Sequence, residues 1–380
     1  MAGIFIVGFC GILYSVIRSS YCCNILWKQA LLPSQDGYQL SYIQGTIALL
    51  RTDDHMNFGV KLIDALFITR PVVLVTVWGF SVLGYCRCFF YYRSVPLSSL
   101  WQSAHFSSFF WMIVFSFSVA AVFVFNQIAD YEVDRENDGF PLLINTGFSK
   151  QDAFLIASVF WGLSIAIIFF WGDPRLVYFS LLAGILGIVY SFRPFYFSGR
   201  PLADFLSNAL GYGVVAFGVG WILALPNNQL VFEDYLINCF PYFLLMCSGS
   251  ISSTLSDIPG DKECGKITTA VYLGDHRAHL LATLLLAGAG VSAFFVKDLF
   301  VLIITAISLP LSIYYFFVKT RAVTEATYKV NGGLMMAAAG VLFPVFGLSG
   351  ITIFIATRLY FSIRHKVRYP SLLPADSINE

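Results

Sequence analysis

Charge is what this sequence has least of: Asp, Glu, Lys and Arg make up 12% of its 380 residues and cancel to a net charge of +1. No basic stripe is long enough to follow a phosphate backbone, which excludes nucleic acid as a partner. The eight cysteines include no C-x-x-C pair, and Cys22–Cys23 and Cys86/Cys88 have spacings that suit neither zinc nor a disulfide framework. They read as packing residues. The five histidines form no zinc-type set. The apolar stretch at 2–17 lacks the basic n-region of a cleaved signal, and no Arg- and Ser-rich transit segment accompanies it.

Hydrophobic length is what the sequence has in excess. Hydrophobic residues make up 58% of the chain and the mean hydropathy is +0.75, far from the usage of a soluble domain. Uncharged runs recur at roughly the 20 residues that a helix needs to cross a bilayer. They fall at 71–90, 106–126, 153–171, 175–191, 204–225, 235–253, 278–296, 299–318 and 332–357. Stretches such as 153–171 are apolar on every face, which excludes the alternation of a β-barrel. The expected fold is therefore all-α, a polytopic transmembrane bundle of about nine helices. It occupies residues 70–360, after a lead-in at 1–69 and before a polar tail at 361–380.

The few charges are distributed unevenly. Arg135, Lys150, Arg193, Arg200, Lys262, Lys266, Arg277, Lys319, Arg321 and Lys329 fall on alternate loops, which share one membrane face. The positive-inside rule makes that face cytoplasmic. The localisation expected is a prokaryotic inner membrane with the functional face toward the cytoplasm. Arg358, Arg364, Lys366 and Arg368 break this pattern, because nine spans place them outside.

Carboxylates near lipid are costly, by about 2.5–3.5 kcal/mol for Asp at a helix centre. Two clusters nonetheless close the second and sixth spans. In the first, Asn126, Asp130 and Asp134 are four residues apart and share one helical face, with neighbouring Cβ atoms about 6 Å apart. In the second, Asp257 and Asp261 are four apart, and the intervening Pro259 and Gly260 should break the helix. Both lie on the basic face, so four carboxylates could converge around one anion. Hard oxygen ligands without His or Cys suit Mg2+, which takes one or two carboxylates and completes its shell with substrate phosphates. Asp204 and Asn208 add a polar i, i+4 pair inside the fifth span, and an intramembrane acid is a functional candidate by default. Asp298 and Asp173, in loops of the opposite face, read as solvated.

These motifs resemble those of the UbiA-type intramembrane prenyltransferases. Asn126, Gln127, Asp130 and Asp134 match the first family motif. Asp257, Asp261, Lys262, Gly265 and Thr268 match the second, with Thr254 in place of its first Asp and Gly274 at the family's later glycine. The resemblance begins at Arg70-Pro71 and extends to about residue 360. Tyr190-Ser191-Phe192-Arg193-Pro194 is similar to the loop after the fourth helix, but the family lysine is replaced by Pro194 or Ser198. Phe140-Pro141 stands where a basic residue and proline usually follow the first motif.

The resemblance implies Mg2+-dependent ionisation of an allylic polyprenyl diphosphate and transfer of the prenyl group to a lipophilic, aromatic acceptor. Asp130, Asp134, Asp257 and Asp261 would hold the metal. Lys262, Arg193, Arg200 and Arg70 would bind phosphate oxygens. Asn126 would orient the first metal ligand or face the nascent cation, Tyr190 would offer it a ring face, and Asp204 with Asn208 would hold Arg200 or the acceptor. Two other activities use the same features. A UbiA-like terpene cyclase or diphosphate lyase would need no acceptor, and a membrane transporter would move a solute without releasing pyrophosphate.

Overall fold

Backbone amides in lipid must find partners within their own segment, which leaves helices as the solution for a chain without barrel alternation. The computed structural model describes residues 58–93, 106–131, 142–225 and 230–370, and these contain no strand. The chain divides into two units, Met1–Phe67 and Ile68–Glu380. In the first, the described residues form one helix, Phe58–Phe67; the apolar segment at 2–17 and the rest of the lead-in lie outside the described residues.

The second unit contains ten long helices among its described residues: α1 (Pro71–Tyr92), α2 (Phe106–Ala129), α3 (Lys150–Trp171), α4 (Arg175–Ser191), α5 (Ala203–Ala224), α6 (Phe232–Thr254), α7 (Asp275–Phe295), α8 (Leu299–Tyr314), α9 (Arg321–Leu342) and α10 (Pro344–Tyr360). Seven candidate spans are long and apolar enough to cross a membrane, and α4 and α8 are shorter apolar helices. Local chemistry sets the boundaries. Ser149 and Asp152 form a reciprocal capping box at the start of α3, and Pro71 opens α1 where its missing N–H costs nothing.

One expected span divides. The run 332–357 is broken at Phe343, because Pro344 cannot donate to the preceding turn and disfavours helical backbone in the residue before it. Phe343 takes φ −134 and ψ 82, so α9 ends there and α10 begins. The approach to α9 lies beside the first turn of α7, where Lys319 is 4.0 Å from Asp275 and the Tyr315 hydroxyl donates to the same carboxylate. Beyond α10, the chain brings Tyr369 into the field of Arg70, at the start of α1. The α9–α10 pair therefore leaves one end of the bundle and returns to it. Arg358, Arg364, Lys366 and Arg368 join the other basic loops, and the conflict with nine spans disappears.

Close helix approach builds the core. A Cβ on Gly84 would stand 2.0 Å from the Phe217 carbonyl oxygen, and one on Gly220 would stand 1.7 Å from that of Ser81. Only glycine admits this crossing of α1 and α5, and Ser81 Oγ uses it to donate to Ala216 O at 2.8 Å. The fully buried Phe80, Phe217, Trp221 and Tyr242 pack around the crossing.

The end of the bundle opposite Arg70 is fastened by ions. Asp298 is not solvated: it is 1% exposed. Its Oδ1 accepts from the Phe300 and Val301 amides, both at 3.1 Å, which caps α8. Its Oδ2 accepts from Tyr242 at 2.8 Å and lies 3.6 Å from Arg87 Nε. Arg87 also donates to Asn238 Oδ1 at 2.6 Å and to Val296 O at 2.5 Å, tying α1 to α6 and to the α7–α8 turn. Asp173 behaves as expected of a partly exposed loop acid and pairs with Arg175 at 2.5 Å. Replacing Arg87 by Leu leaves Asp298 buried without its cation, at an expected cost of about 3 kcal/mol. The midpoint of thermal unfolding in detergent should fall accordingly; an unchanged midpoint would show that the pair contributes nothing.

Candidate active site

Helices α2, α4 and α6 end, and α1 and α5 begin, at the same end of the bundle, and this brings scattered polar residues together. On α2 the i, i+4 spacing does what it implies: Asn126 Nδ2 donates to Asp130 Oδ2 at 3.0 Å. Gln127 points elsewhere and donates to Ile68 O at 2.6 Å, which holds the approach to α1 against α2. Arg70 follows in the left-handed conformation, φ 54 and ψ 61, and its carbonyl accepts from Val73 and Leu74. Such backbone is uncommon for a side chain larger than Asn, and it is retained here at the edge of a cavity that Arg70 lines.

The second motif reaches the same place by a different construction. The break expected at Pro259 and Gly260 comes earlier: α6 stops at Thr254, because Pro259 cannot donate to the turn before it, and Asp257 opens a short helix, Ile258–Glu263, that carries both residues and lets Asp261 N donate to Asp257 O at 2.9 Å. Gly265, at φ 69, reverses the chain, and Lys266 N donates back to Asp261 O at 2.8 Å. Thr268 Oγ1 donates to Asp261 Oδ2 at 3.1 Å. Asp204 pins the far side of this loop: its carboxylate accepts from Thr269 N at 2.7 Å and from Thr269 Oγ1 at 2.5 Å. Lys266 is thereby presented to α2, with Nζ 3.8 Å from Asp130 Oδ2.

The electrostatics are those of anions held partly out of water. Burial raises the carboxyl of Asp261 above the usual range; Lys266 and Thr268 oppose this, and the neighbouring Asp257 and Asp130 add to it. Burial works against the Lys266 ammonium, but Asp130, Tyr190 and Asp261 outweigh it and hold its pKa above the ordinary lysine value. Burial also raises the Tyr196 phenol, which shares the field of Asp130, Lys266 and Asp261.

Behind this charged rim lies a cavity of about 160 Å³. Arg70, Asn126, Tyr190 and Asn208 form its polar edge, and Val77, Val119, Leu186 and Tyr212 are among its apolar walls. Tyr190 hydrogen-bonds the Asn208 side chain, which donates to Ser250 Oγ at 3.0 Å. The wall contributed by α5 passes from Ser207 and Asn208 into a π-helical segment, Leu210–Ala216, which supplies Gly211 and Tyr212. Such segments widen a helix and often mark functional sites.

The structure thus assembles Asn126, Asp130, Asp261, Tyr190, Asn208 and Arg70 at one end. Asp257 and Lys262 are exposed on the adjoining loop. Asp134 lies outside the described residues. Arg193 and Arg200 do not face the carboxylates: both are exposed, and Arg200 Nη2 donates to Pro194 O at 2.6 Å. Asp204 holds Thr269 rather than Arg200, because the motif loop folds directly over the first turn of α5. Among the described residues, the cation that meets the acids is Lys266. By charge alone Lys266 is one more basic loop residue, and Tyr196 belongs to neither motif. The signal for Lys266 was its position between Gly265 and Thr268, inside the second motif.

Mg2+ fits the donors present. Asp130 Oδ1 is buried and has no hydrogen-bond partner, and hard carboxylate oxygens are what this ion takes. Among the described residues no three acidic, His or Cys side chains form a shell by themselves.

Comparison with known proteins gives one consistent answer. The model described as the UbiA prenyltransferase family matches residues 89–338. A chloroplastic 2-acylphloroglucinol 4-prenyltransferase of Humulus lupulus is 32% identical over 171 residues, 42% of this chain and 40% of that one. A 1,4-dihydroxy-2-naphthoate octaprenyltransferase of Mycobacterium tuberculosis is 38% identical over 90 residues, 22% of this chain and 31% of that one. The matched region thus spans less than half the length of either relative. A UbiA homolog from Archaeoglobus fulgidus, solved bound to GPP and Mg2+, has the same fold at a TM-score of 0.56 and 22% identity, covering 74% of this chain and 99% of that one. Replacing Lys266 by Met removes a charge-assisted contact of about 1.5–3 kcal/mol. Binding of pyrophosphate with Mg2+, measured calorimetrically, should weaken at least tenfold; unaltered affinity would remove Lys266 from the site.

Proposed function

Because the chain belongs to the UbiA prenyltransferase family, we propose that it transfers a prenyl group from an allylic polyprenyl diphosphate to a lipophilic, aromatic acceptor and releases pyrophosphate. The observation that carries this reading is the unpartnered Asp130 Oδ1 beside Lys266, at the polar mouth of an apolar cavity. A diphosphate needs cations and a prenyl chain needs grease, and here the two are adjacent.

The barrier in such a reaction is separation of an anionic leaving group from an allylic cation. Asp130 and Asp261, with Asp134 and Asp257, would hold Mg2+, which when bound neutralises charge developing on the departing pyrophosphate. Asn126 fixes the Asp130 carboxylate by its hydrogen bond, leaving the other oxygen for the ion. Lys266 donates to phosphate oxygens from its place in the second motif, opposite Asp130, and Arg70 does so from the cavity edge. Arg193, Arg200 and Lys262, exposed around the mouth, draw the diphosphate toward it. As the C–O bond breaks, the apolar walls exclude water from the allylic cation, and the Tyr190 ring stabilises it. The acceptor carbon attacks, a C–C bond forms, and the acceptor loses a proton. Asp204 works at one remove by keeping the 264–269 loop in place. The concentration of basic residues on these loops supports a cytoplasmic position for this end.

The test is incubation of membranes holding the protein with labelled prenyl diphosphates of several lengths and a panel of aromatic acceptors. Mg2+-dependent prenylated product is expected. Replacement of Asp130 by Asn should lower kcat by about 10²–10³, and Asp134→Asn or Asp257→Asn should nearly abolish turnover. Full turnover in these variants or in excess chelator would refute the roles given. A cyclised product without acceptor would indicate a cyclase, and solute flux without pyrophosphate release a transporter.

A further inference from the structure

Helix α9 buries a stripe at intervals of three or four residues, Thr324, Thr327, Asn331, Met335 and Ala339, against the bundle interior. Toward the active-site end this stripe is polar, although nothing in the metal site uses it. Asn331 is 5% exposed, and its Oδ1 has no hydrogen-bond partner. An amide carbonyl left unpaired in the interior of a membrane bundle is costly and calls for a partner.

The other end of the same amide, Nδ2, faces Gly249 of α6. A Cβ built on Gly249 would have Asn331 Nδ2 at 3.9 Å and nothing else within 4 Å from outside its own stretch of helix. Close helix approach explains Gly84 and Gly220, where backbone presses on the glycine, but nothing presses on Gly249. One residue further along α6, Ser250 Oγ accepts from Asn208, which hydrogen-bonds Tyr190 and lines the cavity. The gap is therefore joined to the cavity through one side chain, Asn208, which lines the cavity and bonds the residue next to Gly249.

We propose that the gap between Gly249 and Asn331 receives the polar group of the acceptor, a neutral hydroxyl or carbonyl, with Asn331 accepting from or donating to it. This rests on the prenyltransferase reading. The chemistry of the gap selects the acceptor over the donor substrate. An isoprenoid chain offers no hydrogen bond to an amide, and a diphosphate requires cations, whereas Lys329, the nearest on α9, is engaged by Glu325 at 2.6 Å. A neutral amide in apolar surroundings pairs best with a neutral group that both donates and accepts. Loss of one such bond discriminates strongly, because the buried partner is left unpaired.

The experiment uses the full chain in nanodiscs, with geranyl diphosphate and, as acceptor probes, 4-hydroxybenzoate, homogentisate and 1,4-dihydroxy-2-naphthoate. Asn331→Leu should raise KM for the acceptor about tenfold or more and leave KM for the diphosphate within about twofold. Gly249→Ala adds a methyl in ordinary contact distance and should unfold no earlier than the wild type. Gly249→Leu fills the gap and should block prenyl transfer while Mg2+–pyrophosphate binding persists. Acceptor KM unchanged in Asn331→Leu, or donor and acceptor KM rising together, would overturn the subsite. A wild type that prenylates no acceptor would instead overturn the prenyltransferase reading on which the subsite rests.

Discussion

Asp130 and Lys266 come from opposite halves of the chain, and the 3.8 Å between them is where the two halves become one site. A carboxylate at the end of α2 faces a medium that hydrates it poorly, and a lysine on the 264–268 turn faces the same medium. Each makes the other tolerable. Around that pair the remaining geometry is scaffolding: Asn126 orients the acid, Thr268 and Asp204 hold the turn, and Gln127 draws the start of α1 alongside. At this point a cationic edge and an apolar interior adjoin.

The transmembrane architecture was legible because lipid enforces a simple rule. Runs of about 20 apolar residues must be helices, and the expected 175–191 span coincides with α4. The two acidic clusters were legible for the complementary reason, since acids at helix ends in a chain so poor in charge require a purpose. Helical spacing fixed the contact between Asn126 and Asp130, whereas the break expected between Asp257 and Asp261 lies before both, since a proline is tolerated in the first turn of the short helix that carries Asp261.

What the sequence hid depends on contacts between distant residues. Asp298 looks like any loop acid until Arg87 and Tyr242, more than fifty residues away in either case, are seen around it. Lys266 lies inside the second motif, but its role depends on the fold of the turn, which alone aims it at Asp130. The division at Phe343 was hidden by hydropathy, which continues unbroken across Pro344 while the backbone does not. Asp204 presented the form of a functional acid, and its partner proved to be a threonine hydroxyl and amide across the site.

The return of α10 has a topological consequence for the tail. A chain that crosses and recrosses in pairs delivers Tyr369 to the doorway marked by Arg70. The last described residues of the chain thus stand at the end of the bundle where its first long helix begins. A fluorophore attached at position 369 would therefore stand sentinel beside Arg70 and the cavity that it lines.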